Sequence, residues 1–93
     1  MTKTDNFTSV WDAVADNQEQ AANLRARAEL MRKITAIVKI GGWTRSEAAK
    51  HCGVTRPRIN DLFRGRVSRF SLDALVNIAT ALGCRVHVEL ESE

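Results

Sequence analysis

The side chains best able to do chemistry crowd into one short stretch: Arg56, Arg58, Asn60, Asp61, Arg64, Arg66, Ser68 and Arg69 fall within fourteen positions. A guanidinium presents a planar fork of donors that grips a phosphate, or the O6 and N7 of guanine, with two parallel hydrogen bonds, and a primary amide can match the edge of adenine in the same way. Five arginines from Arg56 to Arg69, interleaved with one amide and one carboxylate, therefore point to a polyanion as ligand. Any one of them alone would pass as a solvated surface residue.

Charge counted by position strengthens this reading. The 93 residues carry 14 Lys+Arg and 11 Asp+Glu, a net charge of only +3. Residues 24–69 hold twelve bases against Glu29, Glu47 and Asp61, a net of nine positive charges, whereas residues 1–23 and 70–93 are each net negative by three. A basic block between acidic ends is a local electrostatic footprint for nucleic acid or an anionic membrane surface. No apolar run approaches the roughly 18 residues of a membrane span, and the N-terminus lacks the apolar core of a signal peptide. A cytoplasmic location is expected, and with it reduced thiols at Cys52 and Cys84 rather than a bridge.

Catalysis finds no foothold in the sequence. It has no glycine-rich phosphate loop, no carboxylate pair in a buried setting, and no Ser or Cys nucleophile with an assignable base. The pairs His51/Cys52 and Cys84/His87 lack metal-ligand spacing. The expectation is a binding protein without metal or cofactor and without enzymatic activity. A length of 93 residues with 44% hydrophobic and 27% charged residues suits a single folded domain.

The elements that must carry these side chains can be read from caps and periodicity. Residues 7–14 predict a short helix capped by Thr8 or Ser9, with Val10, Trp11 and Val14 as its apolar stripe, ended by Asp16 and Asn17. Trp11 packs on the next helix or forms part of a partner-facing patch. Residues 18–40 predict the longest helix, its core stripe formed by Leu24, Ala28, Met31, Ile34 and Val38, closed by Gly41 and Gly42. Thr44 stands three residues before Glu47, a capping box that opens a helix over 45–52. Gly53 stops it. Thr55 caps a helix over 56–63 with Pro57 in its first turn, where the missing N–H costs nothing. Phe70 and Leu75 are spaced as a hydrophobic staple around Ser71, the cap of a helix that runs to Leu82. Residues 84–91 alternate Cys84, Val86, Val88 and Leu90 with Arg85, His87, Glu89 and Glu91, the period of a half-buried strand. A lone strand cannot complete its own ladder, so pairing with a second chain in a dimer is expected.

Two short helices joined by Gly-Val-Thr behind a longer one form a helix-turn-helix pattern. Ala49 is small where they cross, and Ala48, Cys52, Val54, Ile59 and Leu62 supply the buried faces. The run Trp43-Thr44-Arg45-Ser46-Glu47-Ala48-Ala49-Lys50-His51-Cys52-Gly53-Val54-Thr55-Arg56-Pro57-Arg58-Ile59-Asn60-Asp61-Leu62-Phe63-Arg64-Gly65 resembles the phage-repressor and Cro-like (XRE) family. With Phe70-Ser71-Leu72-Asp73-Ala74-Leu75 and Ala81-Leu82-Gly83, the likeness covers about residues 30–83. Within that family the closing strand and the Trp-Asp-Ala lead-in at Trp11 resemble small HigA-type antitoxins, which repress their own operon and bind a RelE-like ribonuclease toxin.

The resemblance implies an all-α, lambda-repressor-like bundle of about five helices with a C-terminal β-strand. It divides the chain into an acidic arm (1–23), a DNA-binding domain (24–83) and a dimerisation strand (84–93). It also implies that Thr44 and Arg45 hold a phosphate, that Thr55, Arg56, Pro57 and Arg58 enter the major groove, that Asn60 and Asp61 lie along it, and that Arg64, Arg66, Ser68 and Arg69 grip the backbone. Arg56, Arg58 and Asn60 are the expected base readers. Asp61 either accepts from a cytosine amino group or pairs with Arg58 or Arg64. The implied function is sequence-specific repression of transcription by a homodimer on double-stranded DNA. The alternatives are a stand-alone phage-type regulator and a module that chiefly neutralises a toxin.

Overall fold

The computed structural model describes residues 6–92 and, from Asn17 onward, their side chains. Four α-helices follow one another: α1 (Asn6–Gly41), α2 (Arg45–Cys52), α3 (Arg56–Phe63) and α4 (Leu72–Ala81), with a 3-10 turn at Val67–Arg69 between the last two. The all-helical class is as expected. The number of helices is not, because the two helices expected over 7–40 are one. No Gly or Pro interrupts residues 6–40, and Asp or Asn inside a helix costs less than about 0.7 kcal/mol, too little to break a ladder supported on both sides. Thr8 and Ser9 accordingly lie inside α1 and not at its start. The expected packing of Val10, Trp11 and Val14 lies outside the described side chains.

Local chemistry explains where the shorter helices begin. Thr44 Oγ1 accepts from Glu47 N at 3.1 Å while Thr44 N donates to Glu47 Oε1 at 2.9 Å, so the capping box is complete. Thr55 and Ser71 accept from Arg58 N and Ala74 N in the same way. Between α2 and α3 the chain reverses at Gly53, whose φ of 70° belongs to the left-handed region that a side chain would strain.

These caps fix the angles at which the helices bury their apolar faces. Met31, Ile34 and Val38 of α1 meet Ala48, Ala49 and Cys52 of α2, Ile59 and Leu62 of α3, Leu75, Ile78 and Ala79 of α4, and Phe70. Burial in this cluster pushes the Cys52 thiol up from its ordinary pKa, and Cys52 and Cys84 are both free. The buried stripe of α1 is narrower than its periodicity suggests. Leu24 and Ala28 are exposed, and Ile37 lies at 38%, because α1 covers the bundle only from about Arg27 onward. The molecule is 52 Å in its longest dimension, close to the roughly 54 Å that 36 residues of helix span.

The expected strand is absent among the described residues. Cys84 N bonds to Ala79 O at 2.9 Å, and Cys84 and Val86 pack half-buried against the core. Val88 and Leu90 are 77% and 96% exposed. The inward face of residues 84–91 therefore has something to cover for two of its four apolar positions, and within one chain no neighbouring strand supplies a ladder.

Candidate nucleic-acid interface

Three segments converge at one end of the bundle: the start of α2, the exposed face of α3, and the loop of residues 64–70. Ile59 and Leu62 anchor α3 in the core, which leaves Arg56, Pro57 and Asn60 in solvent. Arg56 and Arg64 are exposed and have no side-chain hydrogen bond or ion pair among the described residues. They are available to an incoming anion. Thr44 and Thr55 spend their oxygens as caps, as acceptors, and each keeps its hydroxyl proton to donate.

The other members of the site hold one another. Arg45 Nη1 donates to Asn60 Oδ1 at 2.6 Å, and its guanidinium lies 4.4 Å from the Phe63 ring centroid, so the first residue of α2 orients an amide on α3. An amide oxygen has two acceptor sites. Asn60 therefore keeps one of them, together with its NH2 donors, in a plane that Arg45 fixes.

Asp61 is only 14% exposed, and its Oδ1 accepts from Arg66 Nη1 at 3.4 Å and Arg69 Nη1 at 3.3 Å. The expected pairing with Arg58 or Arg64 is thus replaced by pairing with the loop. The reason lies in the turn after α3: Gly65 takes a φ of 69°, Arg66 N donates to Asp61 O at 3.0 Å, and the chain doubles back past Asp61. Ion pairs open to solvent contribute at most about 1 kcal/mol each; their effect here is to aim two cations. Ser68 is exposed between them.

Arg58 does not project freely. It is half-buried, its guanidinium lies 4.1 Å from the Phe70 ring centroid, and its Nη1 donates to Arg69 O at 2.6 Å. Arg27 of α1 also donates to this loop, to Phe70 O at 3.0 Å and to Val67 O at 3.4 Å. Arg27 was not among the expected site residues, although its position carried a signal: it stands four residues before Met31, where the core stripe of α1 would place an apolar side chain. The ring platforms Phe63 and Phe70 were not among the expected site residues either, Phe70 being expected only as half of a hydrophobic staple.

The arrangement offers exposed Arg56 and Asn60 on α3 between cations at the start of α2 and on the loop. Among the described residues, no three His, Cys, Asp or Glu side chains gather for a metal ion, and no helix is long and apolar enough to cross a membrane. Residues 13–91 match a family model described as a helix-turn-helix domain. No curated protein matches the chain.

Proposed function

Because the chain belongs to the helix-turn-helix domain family, we propose that it binds double-stranded DNA by sequence and represses transcription from the site it occupies, without catalysing a reaction. The observation that carries this reading is the face of α3, where exposed Arg56 and the oriented amide of Asn60 lie between cations at both ends. A single helix fits the major groove, and base edges are distinguishable there. Selection from a random duplex library tests it: one motif is enriched and bound at least about a thousandfold more tightly than random duplex. Binding of every duplex with equal strength would overturn the reading.

The finer proposal is an autoregulating antitoxin, cytoplasmic and homodimeric. Two features favour it over a stand-alone phage-type regulator. The first is the N-terminal half of α1, which extends past the bundle in a stretch where residues 1–23 are net acidic; it suits a basic partner such as a RelE-like ribonuclease. A chain starting at residue 24 then keeps its DNA motif and loses inhibition of the toxin encoded beside it. Retained inhibition would show the arm to be a mere tail.

The second feature is the C-terminal segment. Exposed Val88 and Leu90 on one face of residues 84–91 support strand pairing between two chains, which would read a two-fold symmetric site with half-sites about one helical turn apart. Light scattering on the full chain and on one ending at Gly83 distinguishes the cases: a dimer becomes a monomer. Equal masses per particle relative to chain length would exclude the pairing.

A further inference from the structure

The loop of residues 64–70 is held at three of its backbone carbonyls by two arginines that come from different elements. Arg27 of α1 bonds Phe70 O and Val67 O, and Arg58 of α3 bonds Arg69 O while its guanidinium covers the Phe70 ring. We propose that Arg27 and Arg58 are positioning residues that set this loop for phosphate contact, and that Arg58 acts on DNA through the loop rather than by reading a base. The proposal rests on the DNA-binding reading above and names how that site is held.

Three observations support it. The loop needs an external brace, because after the 3-10 turn Val67–Arg69 the backbone becomes extended at Phe70, leaving Arg69 O and Phe70 O without a helical partner. The half-buried Phe70 O must find a donor and finds Arg27, while the exposed Arg69 O takes Arg58 in place of water. Next, Arg27 is withdrawn from water to do this: its Nε is buried with no hydrogen-bond partner. An arginine serving only as surface charge would not give up solvation for that geometry. Finally, the loop side chains so presented, Arg66 and Arg69, are themselves aimed by Asp61. Two arginines that donate to its carbonyls and a carboxylate from α3 thus fix both the backbone and the cations of one segment. A lysine could place a charge nearby, but it lacks the planar fork that bonds a carbonyl while lying flat on an aromatic ring.

The two roles for Arg58 give opposite patterns on substitution. A base reader, once removed, costs affinity only for the enriched duplex and relaxes preference at one base pair. A brace, once removed, loosens the loop in the free protein and weakens the enriched duplex and random duplex together. Arg27, which approaches the loop from α1, should behave as Arg58 does although it belongs to neither α2 nor α3.

The experiment uses full-length Arg27→Gln, Arg58→Gln and Arg58→Lys. Two properties are read: amide exchange of Arg69 and Phe70, whose N–H groups bond Arg66 O and Val67 O, and titrations with the enriched and random duplexes across a range of salt. All three variants are expected to exchange these amides faster while α4 keeps its protection. Both glutamine variants should lose affinity for both duplexes, on the order of tenfold. Arg58→Lys should keep the salt dependence but not the slow exchange. Unchanged exchange in Arg58→Gln, or a loss confined to the enriched duplex, overturns the proposal. If a glutamine variant fails to fold, Arg58→Lys decides by the same exchange readout. Faster loop exchange in a protein whose unsubstituted form prefers no duplex would sustain the brace and refute the sequence-specific reading, so the two failures are separable.

Discussion

Phe70→Ala lowers the free energy of unfolding by about 3–5 kcal/mol, the range for deleting a fully buried aromatic ring. Phe70 is 1% exposed and is the bulkiest side chain of the core, in a cluster where Ala48, Ala49, Ala79 and Cys52 are all small. A close-packed core relaxes only partly into the space a phenyl group leaves. The residue also stands immediately before the Ser71 cap, so the cavity opens where α4 begins. Since a small domain has only about 5–15 kcal/mol in total, the variant should sit near the edge of unfolding at physiological temperature. Denaturant titration of the two proteins measures the difference, with Phe70→Leu, which removes less volume, expected to cost less than the alanine variant. A loss below about 1 kcal/mol for the alanine variant would mean that the ring is not packed as described.

The second large effect concerns recognition. Asn60→Ala costs about 1–3 kcal/mol on the enriched duplex, roughly five- to 150-fold, which is what one bidentate contact to a base is worth. Random duplex should bind within about twofold of the unsubstituted chain, since an amide carries no charge to neutralise phosphate. Arg45→Ala shows a mixed pattern: it removes the 2.6 Å bond that orients Asn60 and also a cation, so random duplex weakens as well. Competition titrations of both variants against both duplexes read the split. Equal losses for Asn60→Ala on the two duplexes would remove Asn60 from base reading.

The parts of the fold legible in the sequence are those governed by neighbours in the chain. Thr44 with Glu47, Thr55 with Pro57, Ser71, and Gly53 each declare a helix boundary through bonds that span only a few residues, and α2, α3 and α4 begin where those residues place them. The same locality misled at Asp16 and Asn17, which are good caps yet weak breakers, so the cap signal suggested an end that the flanking helix overrode. Residues 84–91 carry the period of a strand, but period states which faces differ and does not provide a second strand to pair with.

The site divides along a similar line. That Arg56, Asn60 and Arg64 reach solvent follows from helical spacing around Ile59 and Leu62. Where Arg58 and Asp61 send their side chains does not, because their partners lie on the far side of the Gly65 turn, at Arg69, Phe70 and Arg66. Arg27 reaches carbonyls 40 and 43 residues away. Such contacts are set by the tertiary arrangement, and a list of charged residues cannot distinguish a guanidinium that meets the ligand from one that braces the backbone behind it.

The unbroken course of α1 bears on the thermodynamics of whatever closes around its outer half. Starting a helix is costly, since several residues must be fixed before the first hydrogen bond forms, whereas extending one adds a bond with each residue ordered. In α1 the packed end, with Met31, Ile34 and Val38 in the core, supplies that nucleus, and the segment back to Asn6 continues the same ladder. A disordered recognition arm must have its backbone ordered when it binds, at about 1–2 kcal/mol per residue. A partner that grasps this arm as a helix meets a shape whose ordering cost has largely been met by folding, so more of the contact energy appears as affinity.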